Sequence, residues 1–189
     1  HAGASGQRRS GDVLAADTVS AMASIRWGMI GCGAVTEVKS GPAFQQADGS
    51  ALVAVASRRL SAAEDYARRH AVPKVYADID DLIASPEVDA VYIATPPDSH
   101  LELALRVAHA GKPCCVEKPM ALDPDECDRM IAAFATRGLP LFVSYYRRSL
   151  PRFRQVKAWL DEARIGSVRD VRWHLLKPAS PRDLEIGRA

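Results

Sequence analysis

The chain has 189 residues, 48% hydrophobic and 25% charged, a size at which one ordinary domain with an appendage buries roughly two thirds of its unfolded surface. Its 25 basic and 23 acidic residues leave a formal net charge of +2, which argues against a large electrostatic footprint for nucleic acid. No apolar run approaches the about 20 residues needed to span a bilayer, so neither nucleic acid nor a membrane is expected as a partner.

Residues 1–24 are small, polar and aperiodic, lack the apolar core of a secretory signal, and are expected to form a disordered extension. Ile25 to Ile30 reads as a first buried strand that runs into Gly31-Cys32-Gly33, with a helical stretch from Ala34. Gly41-Pro42 interrupts that helix, because proline lacks an amide donor and clashes with the preceding turn, and a kink or restart is expected there. Ala51 to Ala56 is the second strand. Ser61 and Glu64 have the spacing of a capping box that opens a helix to about His70. Lys74 to Tyr76 is a short third strand, Asp78 caps a small helix ending before Pro86, and Asp89 to Thr95 is a fourth strand.

A helix from Asp98 with a broad apolar face closes at Gly111, and Pro113 to Val116 is strand again. Asp123-Pro124-Asp125-Glu126 joins an N-cap, a proline at the first helical position and a third-position glutamate, and Gly138 with Pro140 closes that helix. Leu141 to Tyr145 makes a further strand and Leu150 to Ala163 a further helix. From Val168 to Leu175 the pattern alternates, with Val171, Trp173 and Leu175 on one face of an expected half-buried strand. The fold class that follows is α/β, a doubly wound Rossmann-type parallel sheet over residues 25–146, and then the start of an incomplete α+β substrate domain over 147–189.

The four cysteines, Cys32, Cys114, Cys115 and Cys127, include no pair with the two-residue gap of a zinc or redox motif. Cys114-Cys115 reads as strand packing in a reducing, cytoplasmic compartment, and no metal site is expected. The arginine pairs at 8–9, 58–59, 68–69 and 147–148 read by default as solvated surface.

Chemistry concentrates where strands end. Glycine at 31 permits a tight turn, and glycine at 33 lets the backbone near Cys32, Ala34 and Val35 approach a pyrophosphate at a helix N-terminus. Thr36 stands where the third glycine of that motif would serve helix–strand packing; a plain tight turn is the alternative. After the second strand, Ser57-Arg58 replaces the acid that an NAD site places on the ribose hydroxyls, which favours NADP over NAD, the alternative being a solvated basic loop. Thr95-Pro96-Pro97 and, further on, Glu117-Lys118-Pro119 fall at the carboxyl edge where open α/β sheets bind ligands. His100 opens the helix after the fourth strand and is counted with Thr95, Pro96 and Pro97 among the expected cofactor contacts, although a histidine there is more often a surface or packing residue than a catalyst.

Gly28-Met29-Ile30-Gly31-Cys32-Gly33, Ala94-Thr95-Pro96-Pro97 with His100, and Gly111-Lys112-Pro113 leading to Glu117-Lys118-Pro119 together resemble the Gfo/Idh/MocA family from about Ile25 to Leu175. The resemblance implies an oxidoreductase of sugars, inositols or related polyols using NADP or NAD, and homo-oligomeric relatives. It implies that Lys118 lies near the nicotinamide and the substrate carbinol, that Glu117 holds that lysine or the cofactor, and that Pro119 shapes the loop, in some members through a cis peptide. Tyr145-Tyr146-Arg147-Arg148 matches the segment lining the nicotinamide pocket, with Arg147 a cofactor contact. The family's aspartate and histidine on a helix of the C-terminal domain have no counterpart here. The resemblance thus implies that this chain is truncated just inside the substrate domain. Two further readings stay open: a non-catalytic dinucleotide-binding module or redox sensor, and NAD-dependent glycoside hydrolysis on the same fold.

Overall fold

The structure is a computed structural model that describes residues 24–174 and Leu176. The expected extension, all but Ser24, lies outside the described residues. The chain divides into two compact units, 1–144 and 145–189.

The first unit is built on six strands, β1 (Ile25–Ile30), β2 (Ser50–Ala56), β3 (Lys74–Tyr76), β4 (Ala90–Ile93), β5 (Cys114–Val116) and β6 (Leu141–Val143). They form one sheet in the order β3-β2-β1-β4-β5-β6, and every neighbouring pair is parallel. A parallel sheet needs cover on both faces, which is why these strands read as near-continuous apolar runs. Successive residues supply opposite faces. Ile30, Val91, Ile93 and Val116 belong to one core with Leu82, Val107, Met130 and Phe134, whereas Met29, Val55 and Tyr92 belong to another with Ala63, Tyr66 and Ala67.

The covering helices follow in alternation: α1 (Gly41–Gln46), α2 (Leu60–His70), α3 (Ile79–Ala84), α4 (His100–His109) and α5 (Pro124–Ala135). Asp78 caps α3 by accepting from the Asp80 amide at 2.8 Å, and Asp123 caps α5 by accepting from the Glu126 amide at 2.8 Å. The expected Ser61 capping box is not formed. Helix α2 begins at Leu60 with Arg59 at its N-cap and no side-chain cap bond, so Ser61 lies within the first turn. The Ala62 and Ala63 amides already bond to the Arg59 carbonyl at 3.0 and 3.3 Å, so the helix is under way before Ser61 could cap it.

The restart expected at Gly41-Pro42 takes a definite form. Thr36–Ser40 is a wide π turn, whose last bond runs from the Gly41 amide to the Thr36 carbonyl, and α1 restarts with Pro42 in its first turn, where no donor is needed. Thr36 is fully buried, its hydroxyl donating to the Gly33 carbonyl at 2.7 Å, and its own carbonyl also accepts from Tyr66 Oη at 3.0 Å. Close packing passes to Gly41 instead, where an added Cβ would collide with Tyr66 Oη and the Thr36 carbonyl.

Glu37 on the π turn joins this region to α2. It accepts two bonds from Arg69, at 2.6 and 2.7 Å, and lies 2.7 Å from His70 Nε2. Arg69, and then His70, hold the Glu37 carboxyl down to about 2.

The second unit contains a 3₁₀ turn, Tyr146–Ser149, and α6 (Pro151–Asp161). The strand expected over 168–175 is not formed over 168–174, and Leu175 lies outside the described residues. A strand is defined by hydrogen bonds to a neighbour, and among the described residues no strand pairs with this stretch. Val171 and Trp173 are exposed, the latter with its ring 5.8 Å from that of Phe153.

Replacing Gly41 by alanine is expected to lower stability by about 2 kcal/mol through overpacking, read as a fall in the urea midpoint; an unchanged midpoint would mean that α1 can move away freely. For acid, the sign follows from the depressed Glu37 carboxyl: its contribution is present above the ordinary value of 4.5 and is lost as the pH falls towards about 2. Glu37→Gln should therefore flatten the acid limb of a stability–pH curve between those values, with little change in the slope above pH 5.

Candidate active site

The strand order reverses between β1 and β4, and open α/β sheets bind ligands outside the carboxyl ends of the strands at such a point. The loops after β1 and β4 touch there. Gly31 has φ +102°, and an added Cβ would lie 2.9 Å from the Ala94 carbonyl carbon and oxygen and 3.1 Å from the Thr95 amide nitrogen. Only glycine meets both demands. The Gly31 amide donates to the Ala56 carbonyl at 2.8 Å and the Ala94 amide to the Ile30 carbonyl at 2.8 Å, so three strand ends are joined. At Gly33 the reverse holds: nothing lies within 4 Å of the position a Cβ would take. Open space beside Gly33, at the start of the helical turn through Ala34 and Val35, suits a phosphate approaching backbone amides.

Cys32 lies between the glycines, half-buried. Burial, and then the charge of Glu37, push its thiol up to about 11, so it stays protonated and packs. After β2, Ser57 is half-buried and Arg58 exposed. Whereas Arg68 and Arg69 are paired with Asp65 and Glu37, Arg58 enters no ion pair among the described residues. No carboxylate follows β2 at this point; the sequence reads Ser57-Arg58-Arg59.

After β4, Ser99 Oγ donates to Thr95 Oγ1 at 2.7 Å and lies 2.9 Å from the Pro96 carbonyl, closing the Thr95-Pro96-Pro97 turn on itself. After β5, Glu117 is half-buried, and its carboxylate accepts from Tyr92 Oη at 2.6 Å and from the Lys118 amide at 3.1 Å. Glu117 thus holds the backbone of Lys118, while the side chain of Lys118 is exposed. Burial, followed by the bond to Glu117, pushes the Tyr92 hydroxyl well above its usual range, which keeps it a donor. The peptide between Lys118 and Pro119 is cis.

The structure therefore gathers residues 31–35, Ser57 with Arg58, 95–97 and Glu117 with Lys118 at one sheet edge. His100 sits just behind it, fully buried, with both ring nitrogens against backbone carbonyls. Arg147 belongs to the second unit, exposed on its 3₁₀ turn. The sequence reading passed over Tyr92. A residue with one polar tip inside the apolar run Val91-Tyr92-Ile93 needs a buried partner, and that need was the available signal.

A model for an oxidoreductase family with an NAD-binding Rossmann fold matches residues 25–145. Oxidoreductase P35 of Formosa agariphila is 44% identical over 144 residues, covering 76% of this chain and 45% of that protein. Inositol 2-dehydrogenase of Rhizobium meliloti is 34% identical over 158 residues, covering 84% and 47%. Among solved structures, the 3-ketoreductase KijD10 of Actinomadura kijaniata, in complex with NADP and TDP-benzene, superposes with a TM-score of 0.68 at 32% identity, covering 74% of this chain and 43% of that one. The chain thus spans somewhat less than half the length of these relatives.

Tyr92→Phe keeps the ring and deletes the donor to a carboxylate, and should cost about 1 to 2 kcal/mol in chemical denaturation. Combined with Glu117→Gln in a double-mutant cycle, the two losses should couple by about 0.5 kcal/mol or more; strict additivity would show that the bond contributes nothing.

Proposed function

Since the chain belongs to the Gfo/Idh/MocA oxidoreductase family, we propose that it is the dinucleotide-binding part of an enzyme that interconverts an alcohol and a ketone on a sugar, polyol or related small cyclic substrate, with NADP preferred over NAD. The observation that carries this reading is the joined edge at which Gly31, the open space at Gly33 and the Glu117-Lys118 loop stand together. The inositol dehydrogenase and ketoreductase among the relatives support a polyhydroxylated substrate.

In this reading the amides around Gly33, Ala34 and Val35 hold the pyrophosphate, and Ser57 and Arg58 take the ribose 2′-phosphate. Thr95, Pro96 and Pro97 wall the nicotinamide side. When bound, the nicotinamide supplies the carbon that gives or receives a hydride. The protein's own task is to orient the carbinol and manage its hydroxyl proton. Lys118, exposed at this edge and free of any ion pair among the described residues, holds or moves that proton at Nζ. Tyr92 and Glu117 fix the backbone from which the lysine projects.

Arg58→Ala should raise the NADPH dissociation constant about 10-fold or more in calorimetric titration, while NADH binding changes about 2-fold at most. Equal losses for both would reject the 2′-phosphate assignment. In oxidation of inositols, sugars and cyclic diols by the enzyme that carries this domain, Lys118→Met should lower kcat by about 100-fold or more with the NADP KM little changed. An unaltered kcat would remove Lys118 from proton transfer.

A further inference from the structure

His100 has no exposed surface, and it does not lie idle. Its Nε2 is 2.8 Å from the Thr95 carbonyl, and its Nδ1 is 3.0 Å from the Pro119 carbonyl and 3.3 Å from that of Met120. Thr95 is on the loop after β4; Pro119 and Met120 are on the loop after β5 that carries Lys118. All of these neighbours are acceptors, so each contact requires the ring to donate. An imidazole with one N–H donates, by its tautomer, either to the Thr95 carbonyl or to those of Pro119 and Met120, and in either form the ring fills the gap between the two loops.

Lys118 Nζ has no partner among the described residues, so the placement of this side chain depends on its backbone. On the N-terminal side that backbone is held by Glu117, itself gripped by Tyr92. On the C-terminal side it is held at the Pro119 carbonyl by His100. We propose that His100 is a positioning residue for the hydride-transfer site, its buried ring set between the carbonyls of the Thr95 loop and the Lys118 loop so as to hold the two in register. The functional half of this rests on the reading of Lys118 given above. An apolar side chain of the same volume would fill the space at the head of α4 but would leave both loops untied.

Three measurements test this, the first two on this chain and the third on the enzyme that carries this domain. In the native protein, a long-range proton–nitrogen spectrum of the histidine rings should show for His100 a ring proton protected from solvent exchange; a freely exchanging one would overturn the tie. In His100→Gln, which removes the ring from between the two loops, exchange of the Glu117 and Lys118 amides should quicken about 5- to 10-fold while that of Gly31 and Val55 is unchanged. Uniformly faster exchange, or none, would overturn the positioning role and leave a packing residue. Turnover then separates the two halves: His100→Gln should lower kcat with the NADP KM unchanged. If the loop amides respond but Lys118→Met leaves turnover intact, the tie stands and the reading of Lys118 falls.

Discussion

The close approach of Gly31 to the Ala94–Thr95 backbone is the constraint on which the site depends. With an added Cβ 2.9 Å from the Ala94 carbonyl and φ at +102°, no side chain fits at 31 without moving β1 away from the end of β4. Those two strands flank the reversal of strand order, so any widening there opens the place where a ligand would lie. The apolar layers on the two sheet faces bring the strands to this spacing, and the glycine lets them keep it.

Polar ties then carry the constraint outward. Ser99 closes the turn after β4, Tyr92 reaches from within β4 to Glu117 after β5, and His100 bridges the same two loops from behind. Each tie runs from a buried or half-buried group to a carbonyl, hydroxyl or carboxylate of a loop, and the exposed groups, Arg58 and Lys118, are left able to meet a ligand. Rigid support beneath exposed chemistry is the usual arrangement of a site built on strand ends. The same division appears around Cys32, whose half-buried, protonated thiol serves packing in the loop after β1.

Much of this was legible in the sequence because it is local. Strand and helix alternation, the caps at Asp78 and Asp123 and the break at Gly41-Pro42 each follow from a few neighbouring residues. The Ser61 capping box was equally local and did not form, since the helix starts earlier, on the Arg59 carbonyl. The alternating pattern ending at Leu175 was read correctly as a pattern, but a strand is a pairing, and periodicity carries no information on whether a partner is at hand. The work of Tyr92 and His100 was hidden for a related reason: their partners lie 25 and 19 residues away, and only the parallel sheet brings them together. Likewise the missing third glycine at Thr36 gave no hint that Gly41 would take over the close contact.

The most direct test uses the empty space beside Gly33. An aspartate Cβ there would have nothing within 4 Å, and the side chain places a carboxylate where a pyrophosphate would lie. A dinucleotide site at this edge requires that the native chain bind NADPH saturably, one to one, by calorimetry, and that Gly33→Asp keep its melting temperature while losing that binding. Equal binding by native chain and variant would place the dinucleotide elsewhere, and no binding by the native chain would contradict the site altogether.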